Sequence, residues 1–321
     1  MQRQAESILR LRVLLLTLLW LLAGCSIAPI PPSAPNAATG NLAASDPADI
    51  AQPPARHPIQ RDIFYFVMPD RFANGSTAND LGALEGDRRV TGFDPTDKGF
   101  YHGGDIAGVI EKLDYLAQLG VTAIWMTPLF KNKPVQGPAN AASAGYHGYW
   151  IVDFTQLDPH FGTNDELAAL IDEAHARGMK VFFDIIANHT ADVIQYEEGQ
   201  SGYRSKLEYP YRDANGAAFD DRDYAGTGKF PFLSPAQSFP YTPIVPAAER
   251  RIKVPAWLNA PIYYHNRGNS QFTGENSLYG DFFGLDDLFT EHPKVQQGLI
   301  DIYKGWITNY AIDGFRVDTV K

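Results

Sequence analysis

The sequence predicts an α/β fold in which helices cover a parallel sheet. Strand-like and helix-like segments alternate along most of the chain, and the strand-like runs are continuously apolar instead of alternating apolar and polar. A composition that is 45% hydrophobic and 12% aromatic can also fill a sizeable core in a chain of 321 residues. On this pattern alone an eight-stranded (β/α) barrel and a doubly wound sheet are both open.

Taken in order, the first segment is a targeting signal. Arg3, Arg10 and Arg12 lead into an apolar run that ends at Leu22, followed by Ala23, Gly24 and Cys25. The Leu22–Cys25 stretch resembles a bacterial lipobox. That resemblance implies cleavage before Cys25 and lipidation of it, with export across the inner membrane and attachment to a bacterial membrane or the cell surface. Cys25 is the only cysteine, so no disulfide is expected within the chain. Residues 26 to 60 hold eight of the 23 prolines and no Phe, Trp or Tyr, too little apolar surface to fold, and read as a tether.

The folded part begins near Arg61. Ile63 to Met68 is a first strand; Ile106, Val109, Ile110, Leu113, Leu116 and Ala117 keep helical spacing; Val121 to Met126 is a second strand. Asn164 is placed to cap a helix with Leu167, Leu170, Ile171 and Ala174 on one face and Gly178 at its end. Lys180 to Ile186 is a third strand. About a hundred residues rich in Tyr, Phe, Gly and Asp follow, far longer than an ordinary connection, and read as an inserted subdomain. Pro293 then starts a helix carrying Val295, Leu299, Ile302, Tyr303, Trp306, Ile307 and Tyr310, and Ile312 to Val317 is a fourth strand.

The formal net charge is −10 with the basic residues scattered, which argues against a nucleic-acid surface and leaves a neutral or cationic partner as the better fit. Polar residues stand where the strands end: Asp184, Asn188 and His189 after the third, Arg316 and Asp318 in the fourth. Neighbouring strand ends in such sheets point functional groups into one shared mouth.

Four stretches in order, "PDRFANG", "DIIANH", "GLDDL" and "GFRVDTVK", resemble the α-amylase family of glycoside hydrolases from Asp62 to Lys321. The resemblance implies a (β/α)8 barrel of which about four strands are present. Its parts would be barrel over 61–189, an inserted subdomain over 190–290 and barrel again over 291–321, behind a signal peptide (1–24) and tether (25–60). It also implies a retaining glycosidase acting on α-1,4-linked starch, glycogen or maltooligosaccharides. Asp318 matches the nucleophile, and Arg316 the arginine that holds it ionised. "GYHGYW" resembles the stretch lining the subsite of the cleaved sugar: Tyr149 to stack on the ring, His147 and His189 to bond its hydroxyls, with Lys321 on the leaving-group side. Trp257, Tyr263 and Tyr264 are candidate further glucan platforms. The acid/base glutamate follows the fifth strand in this family, so the 321 residues are expected to be inactive alone.

The resemblance also implies Ca²⁺. One set of ligands carries over to Asn74, Ser76, Asn79, Asp80, the carbonyl of Gly103 and Asp105; a second uses Asn188 and Asp287 with carbonyls, completed by a histidine after Lys321. Competing readings are an α-1,6-cleaving or glucan-transferring relative, and a non-catalytic glucan-binding surface lipoprotein.

Overall fold

The structure, a computed structural model, describes residues 58–320. Cys25 and the targeting segment, the tether up to residue 57, and Lys321 lie outside the described residues. Among the described residues no helix is long and apolar enough to cross a membrane.

Four parallel strands form the central sheet, β1 (Phe64–Val67), β2 (Ala123–Met126), β3 (Lys180–Ile186) and β4 (Gly314–Asp318), hydrogen-bonded in chain order. The predicted strands are therefore all present, each trimmed or shifted by a residue or two except β3, which spans the predicted range. Register places Phe66 beside Trp125, Trp125 beside Phe182, and Arg316 beside Asp184. Because side chains alternate along a strand, one face carries Phe64, Phe66, Trp125, Phe182, Asp184, Arg316 and Asp318, and the other carries Val67, Ile124, Met126, Val181, Phe183 and Ile185. The second set lies in the main buried core.

Helices cover that second face. The predicted first helix is interrupted: α1 (Ile106–Glu111) and α2 (Leu113–Gln118) meet at Lys112, whose backbone (φ −101°, ψ 2°) leaves the helical range. In α3 (Asn164–Ala176) the cap is Thr163 and not Asn164; Thr163 and Glu166 form a reciprocal capping box, which frees the Asn164 side chain to accept a hydrogen bond from the Leu157 amide at 2.8 Å. The last helix, α4 (Pro293–Tyr310), buries Val295, Leu299, Ile302, Tyr303 and Trp306 as expected, but leaves Ile307 exposed. Trp306 also donates to the Phe154 carbonyl at 2.8 Å, fixing α4 against a strand the pattern did not reveal.

That strand, Ile151–Leu157, pairs antiparallel with Phe130–Asn132 between β2 and α3, and a two-residue pair (Val135–Gln136 with Ser143–Ala144) sits beyond it. After β3 the long segment makes short ladders and single helical turns. It is held by an aromatic cluster of Tyr211, Phe230, Phe239 and Phe289, and by a buried Lys253–Asp286 ion pair at 2.5 Å. The segment returns to β3 through backbone bonds such as Leu288 N–H to the Asn188 carbonyl at 2.8 Å.

Candidate active site

The polar cluster is built where β3 and β4 run side by side. Asp184 is fully buried, and its two carboxylate oxygens accept from Arg316 Nη1 at 3.0 and 3.1 Å. The same Nη1 donates to Asp318 Oδ1, so one guanidinium holds both carboxylates. Asp184 Oδ2 also accepts from Trp125 Nε1 (3.2 Å) and the Tyr149 hydroxyl (3.0 Å). Burial pushes the Asp184 pKa up, and the Arg316 hydrogen bond and charge work against that rise. Thr319 donates to the other oxygen of Asp318.

Tyr149 reaches this point from the loop after Lys133, and Gly148 makes the reach possible. Its φ is +87°, and a Cβ there would lie 1.9 Å from the Pro128 carbonyl oxygen, so only glycine fits. His147 stacks on Tyr149 with ring centroids 5.7 Å apart, and its Nδ1 accepts from the Tyr149 amide at 3.1 Å. That acceptor role requires Nδ1 to be unprotonated. Burial, with the charge of Arg71 as a second cause, lowers the His147 pKa to about 4, so the ring is neutral at ordinary pH.

A cavity of about 620 Å³ opens over these groups and is lined by His147, Tyr149, His189 and Asp318. The structure thus brings four of the six predicted catalytic and sugar-contacting residues to one surface. Arg316 is not in the lining but bonds Asp318, and Lys321 lies outside the described residues. Tyr149 is tied down by its hydroxyl, which fixes the ring plane for stacking. His189 is sandwiched face to face with Phe282, centroids 5.6 Å apart and planes 3° from parallel.

Sequence reasoning missed Phe282, Phe283, Gln136 and Asp192 in the wall, whereas Trp150 belongs to the "GYHGYW" stretch expected there. The aromatic pair directly before "GLDDL" was the available signal for two of them. The proposed platforms Trp257, Tyr263 and Tyr264 are not in the cavity wall. Tyr264 is buried and donates to the Leu258 carbonyl at 2.6 Å, while Trp257 and Tyr263 pack on each other and on the core. Their aromatic character serves packing.

The first ligand set also converges. Asn74 Nδ2 donates to Asp80 Oδ1 at 2.8 Å, and both groups crowd Gly103, where a Cβ would meet them at 2.6 and 2.5 Å. Asp105 accepts from the amides of Gly75, Ser76 and Gly108 and from Asn79 Nδ2 at 3.1 Å. Asn79 Oδ1 is buried with no hydrogen-bond partner. A buried amide oxygen beside two carboxylates is the kind of donor a hard cation takes up. Among the described residues no three His, Cys, Asp or Glu side chains gather as metal ligands, so this set depends on amide, hydroxyl and carbonyl oxygens. In the second set, Asn188 Nδ2 donates to Asp287 Oδ1 at 3.0 Å, which ties the inserted segment to the end of β3.

Comparison with known proteins agrees with this arrangement. Residues 66–321 match the α-amylase catalytic domain. The chain is 55% identical to an α-amylase of Streptomyces lividans over 293 residues, 91% of this chain and 32% of that protein. It is 32% identical to a cyclomaltodextrin glucanotransferase of Geobacillus stearothermophilus over 81% of this chain and 30% of the relative. The crystal structure of an Anoxybacillus α-amylase superposes with a TM-score of 0.54 at 32% identity, covering 83% of this chain and 42% of the other. The chain therefore spans about a third of the length of these curated relatives. Its matched domain, together with the 55% identical relative, places this chain in the α-amylase family.

Proposed function

We propose that the protein is an extracytoplasmic retaining glycosidase that hydrolyses α-1,4-glucosidic bonds of starch, glycogen or maltooligosaccharides. The observation that carries this reading is Asp318 opening into the same cavity as His147, Tyr149 and His189 while bonded to Arg316. A carboxylate so held is aimed, as attack on an anomeric carbon demands. In the first half of the reaction Asp318 forms a bond to that carbon as the bond to the leaving oxygen breaks. A second carboxylic acid about 5 to 5.5 Å away gives its proton to the leaving oxygen, then takes one from the water that releases the sugar. In this reading the acid follows a fifth strand, in a (β/α)8 barrel of which β1–β4 form half and 190–290 an inserted subdomain. The 55% identity to a protein named an α-amylase favours hydrolysis over the transfer named for the 32% identical relative.

Two accessory features belong to the proposal. Asn74, Ser76, Asn79, Asp80, Gly103 and Asp105 would hold one Ca²⁺, and Asn188 with Asp287 a second. Bound there, the ion supplies positive charge that cross-links loops. Cys25 would carry lipid, which is tested by labelled palmitate on the wild type and on Cys25→Ser; equal labelling of both rejects it.

The decisive experiment uses the full-length protein. Asp318→Asn nearly conserves volume and removes the nucleophile, so turnover on maltooligosaccharides should fall by several orders of magnitude while maltooligosaccharide binding survives. A folded Asp318→Asn protein turning over at near wild-type rate would sink the assignment.

A further inference from the structure

Asp192 lines the same cavity as Asp318, and nothing in the mechanism above uses it. Its backbone is clamped from both sides. The amide donates to Gln136 Oε1 at 2.9 Å, and the carbonyl accepts from Lys133 Nζ at 2.8 Å. Lys133 in turn is neutralised by Glu249 at 2.7 Å, so its charge is already matched. The Asp192 carboxyl itself makes no hydrogen bond or ion pair among the described residues. It faces Gly284, whose missing side chain leaves the carboxylate open; a Cβ there would lie 3.4 Å from it. The surrounding groups, Gln136, Lys133, Glu249 and Gly284, are separate from the Arg316–Asp184–Tyr149 cluster that grips Asp318. A carboxylate held rigidly at its root and left free at its tip is prepared to accept from a ligand.

We propose that Asp192 is a specificity-determining residue that accepts hydrogen bonds from the hydroxyls of a glucosyl unit held away from the scissile bond. It rests on the α-glucan reading of the same site. Neighbouring hydroxyls of a pyranose present paired O–H donors, and a carboxylate offers two oxygens to meet them. A cavity of about 620 Å³ falls within the range that holds ligands larger than a single ring. Asp192 is exposed on the cavity wall, but partial desolvation by the surrounding protein, then the charge of Asp286, push its pKa up to about 6 against the pull of Lys133, so the group is an acceptor at neutral pH. Its carboxyl carries no protein bond, so removing it should leave the fold intact.

The test measures steady-state kinetics of the full-length wild type, Asp192→Ala and Asp192→Asn on maltotriose and maltoheptaose. In Asp192→Ala, KM for maltoheptaose should rise about tenfold, the size of one charge-assisted hydrogen bond, with kcat within about twofold. Maltotriose should change by less than about twofold, the melting temperature should not fall, and Asp192→Asn, which keeps one carbonyl acceptor, should lie between. An unchanged KM for maltoheptaose overturns the assignment. So does an equal loss of kcat on both substrates, because that marks a catalytic group. A wild type that cleaves neither substrate overturns the function reading instead. Calorimetric binding of maltoheptaose to the same proteins then decides on Asp192 separately, equal affinity in wild type and Asp192→Ala counting against it.

Discussion

At the scale of single residues the site depends on which groups are kept neutral and which are kept charged. Asp318 is served by a guanidinium that also bonds Asp184, so the charge of Arg316 is shared by two carboxylates. His147 is the opposite case, a ring held neutral by burial and by the positive charge of Arg71. Its folded pKa of about 4 lies below its ordinary value of 6.5, so the unfolded chain takes up the proton first as pH falls. This group therefore contributes stability that is present above pH 6.5 and is lost as pH falls through the window from 6.5 to about 4. Between pH 6.5 and 5 the loss is about 2 kcal/mol at most, since one pKa unit is worth about 1.4 kcal/mol. His147→Gln, which cannot titrate, should lose less of its melting temperature than wild type over that window. Parallel pH curves for the two proteins would show that the ring is not buried as described.

At the scale of elements, the loop around Asn74–Asp80 and the turn at Gly103–Asp105 illustrate how a site is assembled from pieces far apart in sequence. Asp105 caps α1 through Gly108 N–H and also gathers the amides of Gly75 and Ser76, so the loop is docked on the helix start. Ca²⁺ that binds only the folded protein should raise the melting temperature, by roughly 2.7 kcal/mol of stability at a hundred times its dissociation constant. Asp80→Ala is the selective variant, because the Asp80 side chain bonds Asn74 and leaves the helix cap untouched. The increment should shrink in it, and identical melting curves in Ca²⁺ and EDTA would remove both sites.

Elements also set how much could be read from sequence. The strands of the parallel sheet were legible because they are apolar on both faces, and β3 is the clearest case, with all seven residues buried. The Ile151–Leu157 strand was not, because it interrupts its apolar residues with Asp153, Thr155 and Gln156, which bond one another locally. The cluster of Asp318, Arg316, His147, Tyr149 and His189 was legible from motifs. Its wall was not: Gln136 comes from a two-residue strand and Asp192 and Phe283 from irregular segments, too short or aperiodic to show a pattern, and only the folded chain brings them together. Aromatic residues in the inserted segment carried no positional information, which is why Tyr264 read as a surface platform and lies in the core.

At the scale of the whole molecule, the two faces of the central sheet are unequal. The helix-covered face is closed over β2 and β3, with Ile124, Met126, Val181 and Phe183 almost inaccessible. The opposite face leaves Phe64 41% and Phe66 46% exposed, although Phe66 packs against Trp125 with centroids 4.7 Å apart and Phe64 against Phe182 at 4.9 Å. On the helix-covered face, Val317 at the outer strand β4 is 42% exposed. In the barrel proposed above, the face with Phe64 and Phe66 becomes the filled interior, and β1 and β4 acquire neighbours on their free sides. The two situations assign Phe66 different energies. As a barrel-interior residue its truncation to Ala leaves a cavity and costs about 3 to 5 kcal/mol, whereas a half-exposed ring leaves far less of one and costs about 1 kcal/mol. Denaturant unfolding of full-length wild type and Phe66→Ala distinguishes them. The larger loss, with an unchanged denaturant slope, is the outcome a closed barrel requires, and a loss near 1 kcal/mol would mean that no further strands cover this face.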